Sequence, residues 1–240
     1  MKIKTDSKIG EVYDFLRENK AKLASNGPKI LAQWNKALRQ AKGKETSMSY
    51  EFEIGGNLLW HLRHTCGSPE YYYSNLIEVP FAKDKNQYLH WLSSEEDIFK
   101  YTSHFFDRYK ERMKMKGSTK QAVKQFFKKS ASMVCVYWKN DKFVYSMDEG
   151  LLLGVADQQL GMKVACTFVD YGLLKPSQKA AFDKVHSVAD EIRSLHLDLH
   201  KRGVSLKDAA HVVSDKFEDI QKAAEEVYSW YFESGDLVLR

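Results

Sequence analysis

At 240 residues, with 43% hydrophobic and 13% aromatic residues, 4 prolines and 13 glycines, the chain has the composition of a folded globular protein, which excludes the disordered, collagen-like and low-complexity classes. Its 37 lysines and arginines against 32 acids leave a net charge of +5, too mild a value to mark a nucleic-acid binder by itself. The charge is segregated, however: residues 1–45 hold 11 Lys or Arg against 5 acids, and Lys110 to Lys129 hold 8 against Glu111 alone. Such blocks suit an anionic partner at one surface and equally suit solvated helix faces.

The apolar positions Ile9, Val12, Tyr13 and Leu16, then Ile30, Leu31, Trp34, Ala37, Leu38 and Ala41, recur at three- and four-residue intervals. They predict two helices in a basic N-terminal segment, residues 1–45, separated at Asn26-Gly27-Pro28. From Met48 to about Leu92 the signal is that of strands: Y-E-F-E-I alternates, N-L-L-W-H-L follows Gly55-Gly56, and Y-Y-Y-S-N-L-I-E-V-P-F follows a turn at Gly67-Ser68-Pro69. Thr102 to Lys116 reads as a helix ended by Gly117, and Ser118 to Lys129 as a second helix opening on a Ser or Thr cap. The runs S-M-V-C-V-Y-W, K-F-V-Y-S-M, G-L-L-L-G-V-A and K-V-A-C-T-F-V-D-Y predict further strands, with Asn140-Asp141 as a hairpin turn. Residues 46–175 are thus expected to form an α+β core in which an antiparallel sheet is flanked by helices. Beyond Pro176, apolar residues step by three and four from Ala181 to Leu199 and again from Leu206 to Tyr231, with Gly203 between. This predicts a long C-terminal helical hairpin, residues 176–240, that packs on the core or offers a surface for a homodimer or a protein partner.

Cys66, Cys135 and Cys166 stand far apart without C-x-x-C pairing, which indicates neither a disulfide framework nor a zinc ribbon. The start M-K-I-K-T-D-S-K lacks a signal-peptide core, and no stretch approaches the ~20 apolar residues of a membrane helix. The expectation is a cytoplasmic protein with no membrane contact.

The segment T-S-H-F-F-D-R-Y-K-E-R-M carries the most chemistry. At about 100° per residue, Phe105, Phe106, Tyr109 and Met113 share one arc, and His104, Arg108 and Arg112 form a stripe on its shoulder. A guanidinium there matches the oxygens of a phosphate, and a histidine exchanges protons near neutral pH. Together they could cleave a phosphodiester without metal, by taking the proton of a ribose 2′-hydroxyl and stabilising the charge on phosphorus. Elsewhere, His61, His64 and Cys66 in W-H-L-R-H-T-C-G contain zinc-ligand types, but on a strand a separation of three sends the two imidazoles to opposite faces. Tyr71, Tyr72 and Tyr73 beside Arg63 and Lys83 could stack on single-stranded bases. No phosphate-binding G-x-x-x-x-G-K-S/T, dinucleotide G-x-G-x-x-G or G-x-S-x-G motif occurs.

H-F-F-D-R-Y-K-E-R, a short helix T-K-Q-A-V-K-Q-F-F and strands ending in K-V-A-C-T-F-V resemble the barnase–EndoU–colicin–RelE type of ribonuclease fold, in particular its toxin-like members with H-x-x-x-R-x-x-E-R on the leading helix and a Thr on the last strand. The resemblance spans Ile98 to about Leu174. It implies a metal-independent endoribonuclease or RNA-binding activity with no cofactor, in which His104, Arg108, Glu111 and Arg112 match the helix motif and Thr167 the strand position. His104 would be the base or acid, Arg108 and Arg112 would hold phosphate with Lys116, Glu111 would orient an arginine, and Thr167 would donate a hydrogen bond. The alternative is a non-catalytic accessory protein, of the kind a phage or mobile element carries, that acts through oligomerisation or partner binding by residues 176–240.

Overall fold

The computed structural model describes residues 2–65, 71–83, 85–91, 98–129, 133–173 and 176–203. The chain divides into two compact units, the first made of residues 1–131 and 156–165 and the second of residues 132–155 and 166–240.

The first unit opens with α1 (Ile9–Glu18) and α2 (Lys20–Ala41). The Lys8 N–H donates to Glu11 Oε2 at 2.8 Å at the start of α1, which buries Val12 and Phe15. The break between the helices falls at Asn19 rather than at Asn26-Gly27-Pro28. Asn19 is buried, and its Nδ2 donates to the Phe15 carbonyl at 2.8 Å, a second bond to an acceptor that the Asn19 N–H also reaches at 3.1 Å. Gly27 and Pro28 lie inside α2, which runs on through them and buries Ile30 and Trp34 while Leu31 and Leu38 stay exposed. A glycine and a proline mark where a helix is weak, and here burial of Trp34 outweighs that weakness.

The strands β1 (Ser47–Ile54), β2 (Asn57–Thr65), β3 (Tyr71–Ala82), β4 (Lys85–Trp91) and β5 (Ile98–Tyr101) pair antiparallel in chain order. Gly55 and Gly56 close the first hairpin with φ of 58° and 77°, a left-handed pair that glycine adopts without a Cβ clash. The expected turn at residues 67–69 lies outside the described residues. Next to β5 lies β9 (Met162–Asp170), and the two run parallel, with Phe99 opposite Lys163 and Tyr101 opposite Ala165. The sheet is therefore mixed, which corrects the expectation of an antiparallel one. Strand periodicity reports which residues are extended and not which neighbour they meet, and the long connection after β5 lets the chain return in the same direction.

Alternation along the strands gives this sheet two buried faces. Leu59, Ile77, Val79, Leu89, Ile98 and Met162 pack with Ile3, Val12 and Phe15 on one face. On the other, Trp60, Tyr88, His90 and Tyr101 meet α3 (Ser103–Arg112) and α4 (Thr119–Lys129). Their rings interlock mostly edge to face, with centroids 5.3 Å apart for Tyr88–Phe106, 5.4 Å for Tyr101–Phe126 and 5.0 Å for His90–Phe127. Thr102 caps α3, its Oγ1 accepting the Phe105 N–H at 3.1 Å. That helix ends before the expected Lys116 because Lys114 turns left-handed at φ 49° and Gly117 follows at φ 116°. Ser118 and Gln121 then exchange side-chain to backbone bonds of 2.9 and 3.3 Å in a capping box that opens α4.

In the second unit, β6 (Val134–Lys139) pairs with β7 (Lys142–Met147) and β7 with β8 (Gly150–Asp157), all antiparallel, and β9 borders β8. Asn140 and Asp141 form the expected hairpin turn with φ of 49° and 61°. Then α5 (Pro176–Lys201) begins with a proline, whose missing N–H costs nothing at a first helical turn, and buries Ala189 and Ile192. The other arm of the expected C-terminal hairpin, from Leu206 to Tyr231, lies outside the described residues, so the structure describes one helix there and not a hairpin. Among the described residues no helix is long and apolar enough to cross a membrane.

Candidate functional site

The capping of α3 at Thr102 sets which side chains face inwards. Phe105, Phe106 and Tyr109 are fully buried, which places His104 in solvent and leaves Arg108 and Arg112 half-buried along the shoulder. Arg108 Nη1 donates to Glu111 Oε2 at 2.7 Å. Asp107, on the other flank, accepts from Lys85 Nζ at 3.2 Å. The structure thus brings Arg108 and Glu111 into contact and leaves His104 one turn away on the same helix. Lys116 is exposed just beyond the end of α3. Thr167 is half-buried on β9 in the stretch that belongs to the second unit. Between two partly exposed groups, the Arg108–Glu111 pair contributes at most about 0.5 kcal/mol, so its effect is to aim the guanidinium rather than to hold the fold.

A second cationic site did not emerge from the sequence. A cleft of about 250 Å³ opens where the start of β1 and the end of β2 meet α4. Ser47 and Ser49 of β1, Leu62 and His64 of β2, and Lys124 and Lys128 of α4 line it, together with Met48 and Arg63, whose side chains turn to the opposite face. Burial holds His64 below the ordinary histidine range, Lys128 adds to that effect and Glu45 opposes it, so the ring is neutral at pH 7. The signal was present in the sequence as Lys120, Lys124 and Lys128 at four-residue spacing, but only strand pairing shows what faces them.

On the other face of β2, His61 Nε2 accepts from Arg63 Nε at 2.8 Å, and its Nδ1 lies 2.7 Å from Asn75 Oδ1. An arginine only donates, so the imidazole carries its proton on Nδ1 and gives it to Asn75. Burial lowers the pKa of His61, Asn75 raises it and Arg63 lowers it further. Tyr73 stacks on this ring with centroids 5.8 Å apart and remains 42% exposed beside Arg63, its register partner. His61 and His64 face opposite sides of the sheet and so do not form a ligand pair. Among the described residues no three His, Cys, Asp or Glu side chains converge as a metal would require.

The second unit contains a polar network that spacing did not reveal. Tyr171 Oη donates to the Met147 carbonyl at 2.8 Å and lies 3.0 Å from His186 Nδ1 and 3.2 Å from Ser146 Oγ. Ser146 Oγ is 3.3 Å from the same His186 nitrogen, and His186 Nε2 is 3.5 Å from Asp190 Oδ2. Ser, His and Asp in a row are the parts of an activated nucleophile, but Ser146 is only 1% exposed. The arrangement ties β7, the 3-10 turn Tyr171–Leu173 and α5 together. Forty residues separate Ser146 from His186, which is why no local motif announced it. No family model, no curated protein and no solved structure matches the chain.

Proposed function

We propose that the first unit binds RNA through its phosphates along α3, with His104, Arg108, Arg112 and Lys116 as contacts, and that His104 gives it a metal-independent endoribonuclease activity. In that chemistry His104 takes the proton of a ribose 2′-hydroxyl, and the freed oxygen attacks the adjacent phosphorus. The guanidinium groups stabilise the negative charge that builds on the phosphoryl oxygens, and a proton is returned to the leaving 5′-oxygen. The observation that supports this reading best is the aim of Arg108: Glu111 holds it at 2.7 Å, one turn from a solvent-exposed histidine on a helix whose opposite face is locked by aromatic packing.

The test uses unphosphorylated single-stranded RNA and follows binding by fluorescence anisotropy across a salt series. Arg108→Ala should weaken binding and lower the slope of log affinity against log salt by about 1, as loss of one phosphate contact requires. Because the ion pair is exposed, the variant should keep wild-type stability within about 0.5 kcal/mol. His104→Ala should keep binding and lose cleavage of the same RNA in the presence of a metal chelator. Equal affinity and slope for wild type and Arg108→Ala would sink the binding claim, and RNA left intact by the wild-type protein would sink the cleavage claim.

A further inference from the structure

The cleft between β1, β2 and α4 stands on residues other than those of α3. We propose that it binds a phosphomonoester, seated by the ammonium group of Lys128 and by the hydroxyls of Ser47 and Ser49, with Lys124 alongside in its ion pair to Glu51.

The pattern of charge along α4 leads to this assignment. Lys120, Lys124 and Lys128 are spaced by four residues and share one side of the helix. The sheet answers the first two with carboxylates: Lys120 Nζ lies 3.8 Å from Glu51 Oε2 and 3.5 Å from Glu78 Oε2, and Lys124 Nζ lies 3.0 Å from Glu51 Oε1. One turn further on, the same strand face presents Ser49, Ser47 and His64 instead of acids. Among the described residues Lys128 has no ion-pair partner. A helix side neutralised for two turns and then faced with hydroxyls has its last positive charge left for a ligand. Hydroxyls donate to phosphate oxygens without adding charge, and neutral His64 likewise lines the cleft without adding any.

The chemistry of the lining selects the ligand class. A phosphomonoester carries nearly two negative charges at neutral pH and three terminal oxygens, which matches three donors: the ammonium group of Lys128 and the two hydroxyls. A diester offers one charge and two terminal oxygens and leaves part of this set unused. At about 250 Å³ the cleft is smaller than the roughly 300–1,000 Å³ that encloses a whole small-molecule ligand, so it takes the phosphate head and leaves the rest in solvent.

The experiment titrates the full chain at pH 7.5 with methyl phosphate, dimethyl phosphate and inorganic phosphate, and follows backbone amide signals by NMR. Methyl phosphate and inorganic phosphate should shift the signals of Ser47, Ser49 and His64 saturably, and dimethyl phosphate should bind at least about tenfold more weakly. Lys128→Ala should weaken methyl phosphate by about tenfold or more, the loss expected of one charge-assisted hydrogen bond. Lys128 is exposed, so the unchanged remainder of the spectrum reports that the variant is folded. A dinucleotide with a 5′-phosphate that binds more tightly than methyl phosphate identifies the ligand as a nucleic-acid end, and equal affinity identifies a free phosphomonoester; both support the site. Shifts that do not saturate, equal binding of dimethyl phosphate, or no effect of Lys128→Ala overturn it. The RNA reading is tested with unphosphorylated RNA at α3, so either can fail without the other.

Discussion

His90 is an ionisable side chain enclosed by rings. It packs against Phe127 and Tyr101, and among the described residues neither of its nitrogens has a hydrogen-bond partner. Burial lowers its pKa from 6.5 to about 4, because a charged imidazole there would lose its hydration without compensation. The unfolded chain therefore takes up this proton first as pH falls. The stability due to neutral His90 is complete above pH 6.5 and is lost as pH falls towards about 4, a change of about 3 kcal/mol. His61 and His64 are lowered too and act in the same direction. Urea unfolding at pH 7 and at pH 4.5 should show a loss that His90→Phe reduces, and that variant should lie within about 1 kcal/mol of wild type at pH 7. If both proteins lose the same stability between these pH values, the buried imidazole is not the cause. None of this was legible in L-H-W, where an isolated histidine in a strand pattern gives no sign of which face it takes.

Helix α2 continues through two residues that usually interrupt helices. Apart from its chain neighbours and its own helix backbone, Gly27 has no atom within 4 Å of the place a Cβ would occupy, and it does not need a positive φ. Alanine loses less backbone entropy in a helix, but its Cβ would crowd the Pro28 ring that follows, so Gly27→Ala should leave stability within about 1 kcal/mol of wild type, visible as a nearly unchanged Tm. A Tm that falls by much more would mean that the methyl group meets something else there. Gly150, at the start of β8, is the opposite case. A Cβ there would stand on the Val169 carbonyl oxygen and 2.7 Å from Phe168 Cζ, both on β9. Gly150→Ala should lower stability by more than about 2 kcal/mol, since two strands would have to separate to admit it. The same measurement on Gly27→Ala serves as the contrast, and similar Tm shifts in the two variants would refute the account. Element types were largely readable because helix and strand periods differ, while the end of α1 was misplaced because the buried amide of Asn19 outweighs the nominal helix breakers.

Across the first unit, stability depends on contacts between residues far apart in sequence. The buried Asn57 accepts the Ile3 N–H at 2.9 Å and donates to the Ile3 carbonyl at 3.2 Å, completing for that residue the pairing a neighbouring strand would provide. Lys100 Nζ donates to the Thr5 carbonyl at 2.5 Å, and the Ile9 N–H donates to the Leu160 carbonyl at 2.8 Å. Asn57→Ala should cost about 2–3 kcal/mol, because it leaves the backbone groups of Ile3 buried and unpaired. Hydrogen exchange at the Ile3 amide should speed up in this variant while amides of β3 and β4 stay protected. Unchanged protection of Ile3 would show that the contact does not hold the segment. The candidate sites follow the same division. The stripe of His104, Arg108 and Arg112 was visible as a helical period, and the ion pair to Glu111 as an i,i+3 spacing. The cleft needed Ser47 and Ser49 beside His64, a juxtaposition created by antiparallel register across a glycine turn.

What the sequence determined by itself was local: the helical and strand segments, the Gly55-Gly56 and Asn-Asp turns, the cap at Ser118 and the amphipathic face of α3. These follow from side-chain period and backbone sterics within a few residues. Only the tertiary structure decided that β9 runs parallel to β5, which strand faces α4 and which lysines have carboxylate partners. Those outcomes depend on pairings between segments tens of residues apart, where the free energy lies in a shared interface and no single stretch of chain contains the information.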